Sequence, residues 1–149
     1  MPSFTLDQIK PVALDLAHRL LGHQYAIRGT ASLVLQGLNM GVTDIDFLCD
    51  EATAKFLIPD IQFTEDAKYK SFFGKLSGLA LPVEIMGNWQ IKDAKTGKWS
   101  EVFDAHPVQI TEVSGIKVTT IDTELKCALL MGRFSEYHKI KKQLHNLPS

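Results

Sequence analysis

The sequence predicts an α/β (α+β) domain in which a mixed β-sheet is flanked by helices. The first half of the chain opens as strand, helix and strand over residues 25–49, whereas the second half holds three pairs of apolar runs separated by short Gly-containing turns. Strands connected through helices commonly pair in parallel, and hairpin strands pair antiparallel, so both kinds of pairing are expected. No repeat or linker-like segment divides the chain, and we expect one domain over residues 1–149.

Helices are predicted where apolar residues recur at helical spacing between a capping residue and a stop signal. The first begins at Thr5, which forms a capping-box pattern with Gln8, and ends near Gly22. A later helix is expected to have Asp122 as its N-cap. After the first helix, the predicted helices are 31–38, 51–58, 122–132 and 135–147.

Strands are predicted at the apolar runs that remain between these helices and turns. Trp89 and Trp99 flank the turn at residues 95–97, which favours a cross-strand core pair, with a stacking platform for a ligand as the alternative. The predicted strands are 25–28, 44–49, 72–76, 79–86, 89–92, 99–103, 108–112 and 116–120.

The composition and net charge exclude several classes of protein. The net charge of -1 and a pI near 6.5 give no overall positive field that would attract nucleic acid. Cys49 and Cys127 lie in apolar segments, which indicates buried thiols rather than a disulfide. The N-terminus has no basic, apolar leader and no apolar run long enough to span a membrane, so we expect a cytoplasmic protein without membrane contact.

Asp44 and Asp46 form the most informative motif. They are separated by one residue inside an apolar run, so a strand would direct both carboxylates to the same face. Two such anions repel each other unless a cation lies between them, and Mg²⁺ prefers oxygen ligands. An Asp-x-Asp pattern alone also occurs at strand edges and in solvated turns. Glu84 lies in a second apolar strand, where an unpaired carboxylate would be costly, and it completes a three-acid set.

A second motif precedes the acids. Gly29 and Thr30 follow a short strand and open a helix, whose free N–H groups can receive a phosphate. Thirteen residues separate Thr30 from Asp44.

Together these residues resemble the signature of the nucleotidyltransferase superfamily, the DNA polymerase β-like fold, and in particular its small stand-alone prokaryotic members. Thr30 stands where the family usually has Gly or Ser. The resemblance implies a nucleotidyltransferase with ATP as the expected substrate, an acceptor hydroxyl on a small molecule or a protein, and two Mg²⁺ ions. It implies catalytic and metal-binding roles for Asp44, Asp46 and Glu84, and nucleotide-binding roles for Gly29, Thr30, Lys126 and Arg133, with Arg28 as a further candidate for balancing phosphate charge.

Two alternatives stay open. The first is a non-catalytic nucleotide-binding protein of the same fold that acts by docking to a protein partner, for example as one half of a toxin–antitoxin pair. Assembly with a protein partner or as a homodimer stays open for the enzyme as well. The second is a ligand-binding module whose acids hold Ca²⁺ for a structural purpose.

Overall fold

The computed structural model describes residues 3–147, and these contain seven β-strands and five α-helices. In chain order they are α1 (Leu6–Arg19), β1 (Tyr25–Arg28), α2 (Gly29–Leu35), β2 (Ile45–Cys49), α3 (Glu51–Leu57), β3 (Gln62–Glu65), β4 (Tyr69–Leu76), β5 (Val83–Ile91), β6 (Ile110–Val113), β7 (Ile116–Thr119), α4 (Ile121–Leu130) and α5 (Phe134–Asn146). The first two and last two residues of the predicted domain lie outside this description.

All seven strands belong to one sheet in the order β3-β4-β5-β2-β1-β7-β6. β2 pairs with β5 and β1 pairs with β7 in parallel, and the other neighbours are antiparallel. The mixed sheet that the sequence predicts is therefore confirmed, although β1 and β2, which are connected through α2, pair antiparallel rather than in parallel. Its topology brings β2 and β5, which are far apart in the chain, side by side at the centre of the sheet.

The two faces of the sheet are covered differently. On one face, α1, α2 and α3 pack on side chains such as Phe47 and Ile85 and form the largest core. On the other face, Leu48 and Trp89 join Phe103 and Cys127 in a smaller core, where α4 contributes the last of these residues. The second face is only partly covered, which leaves room for a cleft over β2 and β5.

The predicted helices agree with the structure, apart from the bounds of α2, which begins two residues and ends three residues earlier than predicted, and the N-cap of α4. Thr5 and Gln8 form the predicted capping box. The N-cap of α4 is Thr120 rather than Asp122, because the Thr120 hydroxyl accepts the backbone N–H of Thr123 at 3.1 Å. A Thr hydroxyl at this position makes the same bond that an Asp carboxylate would make.

The strand predictions need three corrections. The predicted strands 79–86 and 89–92 are parts of one strand, β5. The short edge strand β3 was not predicted, because its four residues are all exposed and lack an apolar pattern. The predicted strand over 99–103 exists only as isolated bridges, in which Trp89 pairs with Phe103 and Lys92 pairs with Trp99. The predicted Trp89–Trp99 core pair is therefore wrong.

Cys49 and Cys127 are buried, free thiols, as expected. Among residues 3–147, none of the helices has the length and apolar character needed to cross a membrane.

Candidate active site

Four charged residues form a row across four neighbouring strands on the open face of the sheet. Arg28 on β1 is the register partner of Asp46 on β2, Asp46 is the partner of Glu84 on β5, and Glu84 is the partner of Lys75 on β4. The row has a cation at each end and two carboxylates in the middle. Arg28 Nη1 lies 3.7 Å from Asp46 Oδ2, and Lys75 Nζ lies 3.9 Å from Glu84 Oε1.

Asp44 adds a third carboxylate to this row. It is the bend residue that immediately precedes β2. Asp44, Asp46 and Glu84 each place a carboxylate oxygen within 4.8 Å of the other two, and all three are partly exposed. The structure thus brings the three predicted acids together on one side of the sheet.

The environment disfavours a negative charge on Asp46. The pKa of Asp46 is raised to about 7, mainly by burial; the charge of Arg28 opposes this rise, and the charges of Asp44 and Glu84 add to it. Asp46 Oδ1 is buried and has no hydrogen-bond partner among the described residues. Such an orphaned oxygen is costly unless a ligand satisfies it.

Gly29 connects β1 to α2 directly beside the acids. Its φ of +71° lies in the left-handed region, which favours glycine. A Cβ at this position would lie 3.5 Å from Asp46 Oδ2. The predicted glycine turn is therefore next to the acid cluster, and it lets the backbone change direction there. Thr30 follows in the first turn of α2 and is partly buried.

Arg28 also contacts Glu124 and Trp89. Its Nη2 donates to Glu124 Oε1 at 3.1 Å, and its guanidinium carbon lies 4.6 Å from the centre of the Trp89 ring. Burial acts to lower the pKa of Arg28, but the charges of Glu124 and Asp46 raise it more, so the guanidinium stays charged. A charged, buried arginine therefore stands at one end of the acid cluster.

Trp89 reaches this face because of a β-bulge. Between the pairs Phe72–Gly87 and Lys70–Gln90, β5 has one residue more than β4, and Asn88 has a φ of +48°. In a regular strand a residue three positions after Met86 would point to the opposite face. The extra residue turns Trp89 back to the side that carries Met86 and Glu84.

A cleft of about 350 Å³ opens over these residues. Its floor and walls combine acids, cations and aromatic or sulfur-containing side chains. The lining residues are Arg28, Asp46, Thr64, Asp66, Tyr69, Lys70, Ser71, Phe73, Glu84, Met86, Trp89, Met131 and Arg133.

The two predicted cationic residues of α4 and its C-terminal side have different locations. Arg133 lines the cleft and is 3.7 Å from Glu136. Lys126 is absent from the cleft lining. It forms an ion pair with Glu101 and borders a separate depression that also includes His106. α4 ends at Leu130, so Arg133 lies beyond the helix that carries Lys126.

Sequence reasoning did not predict the roles of Glu124, Lys75 and Trp89 around the acids. Glu124 is four per cent exposed and lies 96 residues from its partner Arg28 along the chain. No local pattern signals such a pair. The position of Trp89 depends on a bulge, which changes the expected alternation of the strand.

The chain matches no protein-family model and no curated protein sequence. Its fold is similar to a Thermotoga maritima protein provisionally named a nucleotidyltransferase, with a TM-score of 0.69 and 24% identity over 97% of this chain and 98% of that one. An antigenic nucleotidyltransferase-like protein from Paracoccidioides brasiliensis is similar at a TM-score of 0.45 and 18% identity, over 93% of this chain and 77% of that one. The chain has a nucleotidyltransferase-like fold.

Proposed function

We propose that this protein is a nucleotidyltransferase, which transfers a nucleoside monophosphate from a nucleoside triphosphate to a hydroxyl group of a small molecule or a protein. ATP is the first nucleotide to test. The observation that carries the proposal is the convergence of Asp44, Asp46 and Glu84 within 4.8 Å, next to the Gly29 turn and at the edge of a cleft.

The residues present fit divalent cations. The donors are all carboxylate oxygens, which Mg²⁺ and Mn²⁺ prefer, and Asp46 has a buried oxygen that lacks a protein partner. Asp44, Asp46 and Glu84 would hold the metal. When bound, Mg²⁺ neutralises phosphate charge and favours ionisation of an attacking hydroxyl.

The protein groups supply binding and orientation. The left-handed turn at Gly29 lets the backbone approach a phosphate group, and Arg133 and Lys70 supply positive charge in the cleft. Trp89, Tyr69 and Met86 provide the apolar part of the cleft wall for the remainder of a substrate.

The reaction forms one bond and breaks one. The acceptor oxygen bonds to the α-phosphorus, and the bond between that phosphorus and the bridging oxygen of pyrophosphate breaks. The acceptor proton leaves to a base, for which Glu84 is our candidate because its carboxylate is more accessible than that of Asp46. Pyrophosphate departs with the electron pair of the broken bond.

The experiment is transfer of label from each α-labelled nucleoside triphosphate, with Mg²⁺ or Mn²⁺, to aminoglycosides, lincosamides and candidate partner proteins. The wild type is compared with Asp44→Asn/Asp46→Asn and with Glu112→Gln, a control at an exposed position on the edge strand β6. We expect transfer by the wild type and the control only.

Two outcomes would contradict the proposal in different ways. Transfer that persists in the double variant would place the chemistry elsewhere. If the wild type binds nucleotide in a metal-dependent way but transfers nothing to any acceptor, the alternative function, a nucleotide-binding protein that docks to a protein partner, is favoured.

A further inference from the structure

Arg28 lies near two carboxylates but hydrogen-bonds only one of them. Its Nη2 donates to Glu124 Oε1 at 3.1 Å, whereas its Nη1 stays 3.7 Å from Asp46 Oδ2, beyond hydrogen-bond distance. Arg28 Nε and Asp46 Oδ1 are both buried and lack hydrogen-bond partners among the described residues. The guanidinium therefore balances the charge of Asp46 without occupying its oxygens.

Glu124 is fixed on its other side. Thr119 Oγ1 donates to Glu124 Oε2 at 2.7 Å, and the same hydroxyl lies 3.1 Å from Ser32 Oγ on α2. Both oxygens of Glu124 are thus engaged, and the carboxylate is anchored to β7 and close to α2. The Trp89 ring packs against Arg28 from within the cleft.

We infer that Glu124 is a positioning residue that holds Arg28 away from Asp46 and keeps Asp46 available to a divalent cation. The inference rests on the proposed function, since it takes Asp46 as a metal ligand. Arginine binds a carboxylate preferentially with two parallel hydrogen bonds, which would engage both Asp46 oxygens. Without the charge of Glu124, a buried guanidinium is strongly driven to such a pair because Asp46 is its other close carboxylate.

The test measures Mn²⁺ affinity by titration calorimetry and by the loss of the free Mn²⁺ signal in electron paramagnetic resonance. Four proteins are compared: wild type, Glu124→Gln, Arg28→Met/Glu124→Gln, and the control Glu101→Gln, which removes an ion pair to α4 outside the cleft. We expect Glu124→Gln to weaken Mn²⁺ binding by about tenfold or more, because Arg28 would then hydrogen-bond the Asp46 oxygens and its charge would no longer be balanced by Glu124. The double variant should bind at least as tightly as the wild type, and the control should be unchanged.

If Glu124 has a merely structural role, the four proteins should show a different order of Mn²⁺ affinity. The double variant would then bind Mn²⁺ more weakly than wild type, because it loses both side chains of the network. That order, or unchanged affinity in Glu124→Gln, would overturn the inference. If Glu124→Gln is poorly folded, the comparison of the double variant with wild type still decides.

A crystal structure of metal-free Glu124→Gln separates this inference from the proposed function. We expect Arg28 to hydrogen-bond Asp46 directly in it, and a retained separation would overturn the role of Glu124. Failure of the wild type to bind Mn²⁺ would instead count against the proposed function, while the crystal structure would still decide whether Glu124 holds Arg28 away.

Discussion

Asp46 and Glu84 are direct register partners in the parallel pairing of β2 with β5, so two carboxylates stand side by side on one face of the sheet. Like charges directly opposite each other destabilise a sheet. Arg28 and Lys75 flank the pair, but neither is within hydrogen-bond distance of it. The fold therefore carries a local charge repulsion, and this repulsion gives measurable consequences for stability and binding.

Asp46→Asn should stabilise the metal-free protein. The pKa of Asp46 is raised from 3.8 to about 7, so between these pH values the folded state holds a proton that the unfolded state releases. The folded state then loses stability as pH rises from about 4 to 7 through this group. The variant lacks that loss. Its free energy of unfolding should therefore exceed that of the wild type by at most about 4 kcal/mol above pH 7, and the difference should vanish near pH 4.

Chemical unfolding in chelator at several pH values checks this expectation. Glu112→Gln is the control, because it removes an exposed carboxylate outside the acid cluster. A pH-independent difference between Asp46→Asn and wild type would contradict the assigned cause.

Mn²⁺ or Mg²⁺ should raise the melting temperature of the wild type. A ligand that binds only the folded state at a concentration of one hundred times its Kd stabilises that state by about 2.7 kcal/mol. The gain should disappear in Asp44→Asn/Asp46→Asn, because two of the three clustered carboxylates lose their charge. Differential scanning fluorimetry with and without each metal measures both effects, and an equal gain in the double variant would show binding elsewhere.

Glu84→Gln should lower turnover more than nucleotide affinity. If Glu84 accepts the acceptor proton, its contribution arises mainly in the transition state. Glutamine has nearly the same shape, and Glu84 is partly exposed, so the fold should be retained. Kinetics and equilibrium nucleotide binding measured on the same preparation give the comparison. Equal losses in both quantities would assign Glu84 to ground-state binding instead.

Gly87→Ala should destabilise the fold by about 1–3 kcal/mol through overpacking. A Cβ at this position of β5 would lie 2.8 Å from the Cβ of Ala54 on α3 and 3.1 Å from the Cβ of Phe72 on β4. Urea unfolding gives the change in stability. Ala54→Gly in the same background should recover part of the loss, after correction for Ala54→Gly alone, and no recovery would contradict the proposed contact.

Much of the fold and the three acids could be predicted from local patterns. The Asp-x-Asp spacing, the Gly29 turn and the apolar flanks of Glu84 are all short-range signals. The exposed strand β3 could not be predicted, because an edge strand without a buried face has no alternation to detect.

The surroundings of the acids depend on long-range pairing. Two ion pairs, Arg28 with Glu124 and Lys75 with Glu84, form only because the strands and helices that carry them meet in the fold. The spacing of residues along the sequence does not predict which elements meet. Lys126 shows the reverse case. Its place on a predicted helix was right, but tertiary contacts direct it to Glu101 rather than to the cleft.

The bulge at Asn88 makes the cleft sensitive to the backbone of β5 as well as to its side chains. Loss of the bulge at unchanged chain length, for example through Asn88→Val, which disfavours a positive φ, would carry Trp89 toward the helix-covered face and place Gln90 where the indole now stands. Every acid would remain, yet Arg28 would lose the aromatic surface against which it rests. A single substitution outside the cleft lining would therefore change what the cleft accepts without altering any carboxylate.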